Sequence, residues 1–167
     1  MRSVLPLIAV MLAFSGCGGS SQQAATTAPP PPPSPAATVG PGAKTLYQAT
    51  NGWAVVQKGP RAVALRLVDG TWRPDRSGAV RVKILGPLHT TTPRTQVAVE
   101  ISARNNLAET GLWVDGQELL EKGGGTPRKG TIYGTTSKPL EPGAHIAVAY
   151  GRTATSATAL AWTFRVA

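Results

Sequence analysis

One thiol, Cys17, and two imidazoles, His89 and His145, are the only cysteine and histidine ligands in these 167 residues. A structural zinc site takes four Cys or His ligands, sometimes with a carboxylate, and soft copper sites draw on Cys or Met. The only methionines, Met1 and Met11, lie upstream of Cys17. Calcium would need oxygen ligands at loop spacing, yet Asp69, Asp75, Asp115 and Glu118 do not follow the EF-hand pattern. Asp69 and Asp115 each precede glycine, which makes them turn residues. No G-x-S-x-G nucleophile elbow occurs. The expectation is a chain with no metal, no catalytic residues and no enzyme activity.

Charge offers more. Lys and Arg number 17 against 8 Asp and Glu, for a net +9, which favours anionic partners such as acidic phospholipid, wall polymer or acidic polysaccharide. Two basic concentrations stand out. "EKGGGTPRKG", Glu121 to Gly130, joins three consecutive glycines to Arg128 and Lys129. A glycine-rich basic loop can cradle phosphate through its N–H groups, but this one lacks the G-K-[ST] ending of a P-loop and reads as a connection between strands. The second runs through Arg61, Arg66, Arg73, Arg76, Arg81 and Lys83. Tryptophan adds a possible sugar platform at Trp53 and Trp72, whereas Trp162 shares the core face of its strand with Leu160 and Phe164, and Trp113 alternates with Leu112 and Val114. The candidate ligand surface is therefore Trp53, Trp72, Arg73, Arg76, Arg128 and Lys129.

The surroundings of Cys17 explain why it is solitary. Arg2 and the 11-residue apolar run "VLPLIAVMLAF", Val4 to Phe14, suit a secretory signal. The run is too short to span a bilayer, which takes roughly 20 residues. Ser15 and Gly16 then lead into Cys17. This "F-S-G-C" resembles the lipobox of bacterial lipoproteins, departing from it only in Phe14, where Leu is preferred. The resemblance implies a signal peptide over 1–16 and a diacylglyceryl group on Cys17. It also implies a site at the cell membrane or outer membrane, facing away from the cytoplasm. There nucleic acid is not the expected anionic partner. Each buried CH2 of an acyl chain is worth about 0.8 kcal/mol, so one chain holds marginally and two or more hold firmly. No charge occurs from Gly18 to Ala43, and Pro29 to Pro33 are consecutive. Such a stretch cannot bury enough apolar surface to order itself. With a polyproline core it makes residues 17–43 a linker of at most roughly 80 Å.

Residues 44–167 carry the fold. "RAVALRLV" sets Val63, Leu65 and Leu67 on one face; "AVRVKIL" alternates Val80, Val82 and Ile84 with Arg81 and Lys83; "VAVEISA" alternates Val97, Val99 and Ile101 with Ala98, Glu100 and Ser102. "HIAVAY" and "ALAWTFRV" continue the pattern to the C-terminus. Period-two alternation rich in β-branched and aromatic residues means half-buried strands, and the NG, KGP, DG and EPG clusters mean turns. Only "ARNNLAET" offers a helical turn. The chain reads as all-β.

"VRVKILGP", "VAVEISA", "LWVDGQEL", "LEPGAHIAVAY" and "AWTFRV" resemble, in order, strands of bacterial immunoglobulin-like and fibronectin type III-like domains. His145 stands where the L-x-P-G-x-Y/H corner of such domains often carries Tyr. The resemblance covers 78–167 and implies a β-sandwich. Residues 44–77, with "GWAVVQKG" and "AVALRLVDGTW", read as an added hairpin that packs on the sandwich or extends one of its sheets. The function expected is that of a non-catalytic module which binds a protein partner at the envelope. The alternative is wall glycan or anionic polymer, bound through the basic and tryptophan-bearing surface.

Overall fold

The computed structural model describes residues 40–167. Cys17, the signal segment 1–16 and the linker up to residue 39 lie outside the described residues. Turn chemistry sets the first corners. Asp69 and Gly70 have φ of 49° and 72°, and Asp115 and Gly116 of 50° and 79°. Two successive positive φ values define the two-residue turn that matches strand twist. Gly59, at φ 53°, opens a third tight turn, where Lys58 faces Arg61 across two residues.

The regular elements of the described chain are all strands, with no helix. β1 (Lys44–Gln48), β2 (Trp53–Lys58), β3 (Arg61–Val68) and β4 (Thr71–Pro74) form a meander in chain order. The expected hairpin is β2–β3, and it is flanked by β1 and β4. A second sheet has the order β10 (Leu120–Thr126), β11 (Lys129–Thr135), β7 (Gln96–Ala103), β5 (Val80–Gly86). The third runs β6 (Thr90–Thr91), β13 (Ala157–Val166), β12 (Gly143–Arg152), β8 (Glu109–Val114), β9 (Gln117–Glu118).

The last two sheets make the sandwich. Lettered from β5 and leaving out short β6 and β9, their strands fall in the order DEBA and GFC. That is the immunoglobulin-like arrangement. β6 adds itself to β13 in parallel, after the chain crosses between sheets at Gly86-Pro87, a cis peptide. Val97, Val99, Ile101, Leu112, Val114, Trp162 and Phe164 fill the space between the sheets. The Trp162 indole donates to the Pro87 carbonyl at 2.9 Å, so the buried ring keeps its polar atom paired. "ARNNLAET" forms no helical turn. The Leu107 N–H donates to the Pro127 carbonyl and the Ala108 N–H to that of Arg152, which pins the stretch to neighbouring strands instead.

The meander covers the outward side of the third sheet. Trp53 and Val55 pack there on Trp113, Val148 and Tyr150, while Ala64 meets the small Ala157. Alanines on facing strands allow close approach of the two sheets. Polar ties reinforce the seam. Glu109 accepts a hydrogen bond from the Tyr47 hydroxyl and one from Arg152 Nε at 2.6 Å, and Asp75 accepts the Ala157 N–H at 2.5 Å. The Val63–Leu65 face expected on β3 points the other way. It forms a separate cluster with Ala54, Val56 and Trp72 on the far side of the meander.

Candidate functional site

With one side of the third sheet clad, the outward side of the second sheet stays bare. Strand pairing decides what it shows. Lys129 lies opposite Ser102, which lies opposite Arg81; Thr131 lies opposite Glu100, which lies opposite Lys83. Lys122 of β10 pairs with Tyr133 of β11. Val80, Val82 and Ile84 face the core, so their alternates Arg81 and Lys83 must face out. Arg81, Lys83, Lys122 and Lys129 are all exposed. Glu100 is the one carboxylate in the outward rows of this sheet, and Lys129 holds it at 3.0 Å. Strands sit about 4.8 Å apart, and alternate residues of a strand about 7 Å apart. The cations therefore form a grid, not a single point.

At one end of this face the turns add more positive charge. Arg104 donates its N–H to the Ala79 carbonyl, and the Arg128 carbonyl accepts the Ala103 N–H. A shallow hollow of about 200 Å³ opens there, lined by Gly78, Ala79, Arg81, Ser102, Ala103 and Arg104. The two basic concentrations of the sequence thus meet: Lys129 from one and Arg81 from the other share a row. The pairing of β11, β7 and β5 joins segments about fifty residues apart, so period and spacing could not reveal it. Lys122 and Arg104 were the residues missed, and only their place in this pairing marks them.

The other predicted residues scatter. Arg128 and Lys129 border the face as described. The stretch holding them is a hairpin, β10–β11, not a connecting loop. Its glycines pair in register with Gly130, Thr131 and Ile132, so they form a strand ladder and not a phosphate cradle. Arg76 is exposed in the link from β4 to β5, just before Gly78. Arg73 is exposed on the meander, across from Arg66. Trp72 is half-buried over the outer cluster of the meander. Trp53 must be corrected outright: it is 3 % exposed, packed against the third sheet with the Arg66 guanidinium 5.4 Å from its ring centre. A ring that fills an intersheet layer cannot stack on a sugar.

Titrating groups lie elsewhere and serve the frame. His145 Nδ1 is 2.7 Å from Asp115 Oδ2, and Nε2 is 2.7 Å from the Glu141 carbonyl. A carbonyl only accepts, so Nε2 donates to Glu141, and the Asp115 carboxylate on the other side favours a second ring proton on Nδ1. Burial works against the charged ring, but the Asp115 and Glu141 bonds outweigh it and raise the pKa. The bond back to Glu141 does the work of the tyrosine hydroxyl in the corner motif of immunoglobulin domains. His89 lines a hollow beside Phe164, on whose ring His145 stacks. Among the described residues no three His, Cys, Asp or Glu side chains converge on a possible metal. Burial and the Glu109 bond push Tyr47 up to about 12. The Tyr150 hydroxyl is buried without a hydrogen-bond partner, and burial raises its pKa.

No family model and no curated protein matches this sequence. Among solved structures, the chain is similar to a titin domain in a trigonal crystal form, with 15 % identity over 57 % of this chain and 100 % of that one (TM-score 0.36). It is likewise similar to a titin domain in complex with the Ig of obscurin-like 1, with 12 % identity over 53 % and 95 % of the two chains (TM-score 0.34). A tandem pair of titin Ig domains has 6 % identity over 72 % and 76 % (TM-score 0.35). The likeness is loose; strand order is what makes this sandwich immunoglobulin-like.

Proposed function

We propose that this chain is a non-catalytic module, held outside the cytoplasm by a diacylglyceryl group on Cys17, that recruits a protein partner along the edge strand β10. One observation carries the recruitment. β10 is a seven-residue strand at the end of its sheet, and Gly123, Gly124 and Gly125 leave its backbone almost bare. An unpaired edge is a template for a further strand. Main-chain bonds supply the affinity in such additions, and alternate side chains supply the choice of partner. The lipid reading is supported by the sequence around Cys17. Wall glycan is the weaker reading, because its platform would rest on the buried Trp53.

Two measurements test this. Mass spectrometry of the natural product should find diacylglyceryl on Cys17, with residues 1–16 removed; an unmodified thiol overturns the anchoring. A partner captured on the chain should slow hydrogen exchange at Lys122–Thr126. Exchange unchanged on β10 while another strand becomes protected overturns the edge as the binding site.

A further inference from the structure

The bare face is not uniformly basic. Three large apolar side chains are exposed among the described residues: Leu85 at 46 %, Leu88 at 53 % and Leu120 at 90 %. Leu85 and Leu120 fall at one end of the second sheet, whereas Leu88 follows the crossing and lines a hollow with Ala144, Thr163 and Phe164 of the third sheet. Gly86 pairs with Ala98, Gln96 with Thr135, and Thr135 with Leu120. The end of β5 and the start of β10 therefore lie at the same end of the sheet, on its two opposite edges. Leu119 and Glu121 turn inward, the first into the core and the second to accept the Thr110 hydroxyl at 2.7 Å. Leu120 between them must point out. Leu85 sits at the irregularity between Ile84 and Gly86, and Leu88 lies just beyond the strand. Arg81, Arg104, Arg128 and Lys129 occupy the opposite end, with Lys83 and Lys122 between.

We infer that this face lies on an anionic bilayer, its Lys and Arg side chains against the headgroups and Leu85 and Leu120 dipping into the interface. Cations near an anionic membrane surface each contribute of the order of 1 kcal/mol, and apolar side chains beside them add burial that a soluble polyanion cannot supply. Charge alone would suit any polyanion. Two protruding leucines at one end of the same positive face suit a surface that is anionic outside and apolar just beneath. The inference stands apart from the acyl group, because it uses only residues of the folded part. It also leaves the β10 edge open sideways, parallel to the bilayer.

The test uses the chain from Cys17 to Ala167 carrying Cys17→Ser, so that no lipid is attached. It should sediment with vesicles of equal parts phosphatidylglycerol and phosphatidylcholine, release in high salt, and ignore pure phosphatidylcholine. Lys83→Glu with Lys122→Glu should weaken binding by at least about thirtyfold, as expected when two cations are lost near the surface. Leu85→Ser with Leu120→Ser should weaken it severalfold and leave the salt response in place. In the same cysteine-free background, an environment-sensitive dye on Leu120→Cys should shift to the blue on vesicles, whereas one on Asp69→Cys, in the meander turn, should not. Near-UV circular dichroism of each variant checks that the fold is kept. Failure to bind phosphatidylglycerol vesicles overturns the inference. So does binding to inorganic polyphosphate as tight as to vesicles, with the leucine changes silent. Capture of an acidic protein through the same cations, with no vesicle binding, overturns it equally.

Discussion

The two outward faces of the sandwich have met opposite fates. On the third sheet, Trp113, Val148 and Tyr150 would face water in a two-layer domain; here the meander covers them and all three are buried. On the second sheet, the corresponding positions are Arg81, Lys83, Lys122 and Lys129, and nothing among the described residues covers them. One face has become a second core and contributes stability. The other contributes little to stability and holds the charge. An added sheet thus does more than enlarge a small domain: it decides which side of the frame stays available for binding.

Four measurements would break or sharpen that contrast. Trp113→Ala empties the covered face and should remove about 3–5 kcal/mol, the range for a large aromatic lost from a core, read from the urea midpoint. A loss below about 1 kcal/mol, the level of a surface change, would mean the meander adds no core. Asp115→Asn tests the corner beneath. His145 has a folded pKa raised above its unfolded value. Its contribution is therefore fully present below pH about 6.5 and is lost as pH rises through the folded pKa. Asp115→Asn should cost about 1.5–3 kcal/mol on the acid side, as for a hydrogen bond to a charged group, and should flatten the pH dependence in that window. Tyr150→Phe removes an unpaired buried hydroxyl from the covered face and should raise stability by about 1 kcal/mol; a loss of that size would show that the hydroxyl has a partner. Lys83→Glu on the bare face should move stability by no more than about 0.5 kcal/mol, while vesicle binding falls.

Strands and turns were legible because each rests on a local signal. Val97, Val99 and Ile101 alternate with polar residues, and both Asp-Gly pairs sit at corners. The second core was harder to read. In "GLWV" and "AVAY" both alternating sets are apolar, a pattern that belongs to strands covered on both sides. Reading only the larger residues as core left Trp113 with a choice of faces, when its strand is buried on both. Trp53 belongs to the N-terminal hairpin, whose packing no local pattern fixes, and its alternation with Val55 places it inside once the meander lies on the third sheet. Gly123 to Gly125 looked like a loop because glycine is depleted in strands. At an edge the ladder to β11 suffices without side chains. The basic face depends on which strands become neighbours, and no short window contains that information.

Gly124 gives that edge an unusual latitude. A methyl group at Gly123 would fall 2.5 Å from the Thr131 carbonyl oxygen, and one at Gly125 2.3 Å from that of Lys129, whereas Gly124 has nothing within 4 Å. Any side chain could be installed there while the hairpin keeps its shape. Selectivity for whatever docks beside it can therefore drift, or be engineered, through that one codon.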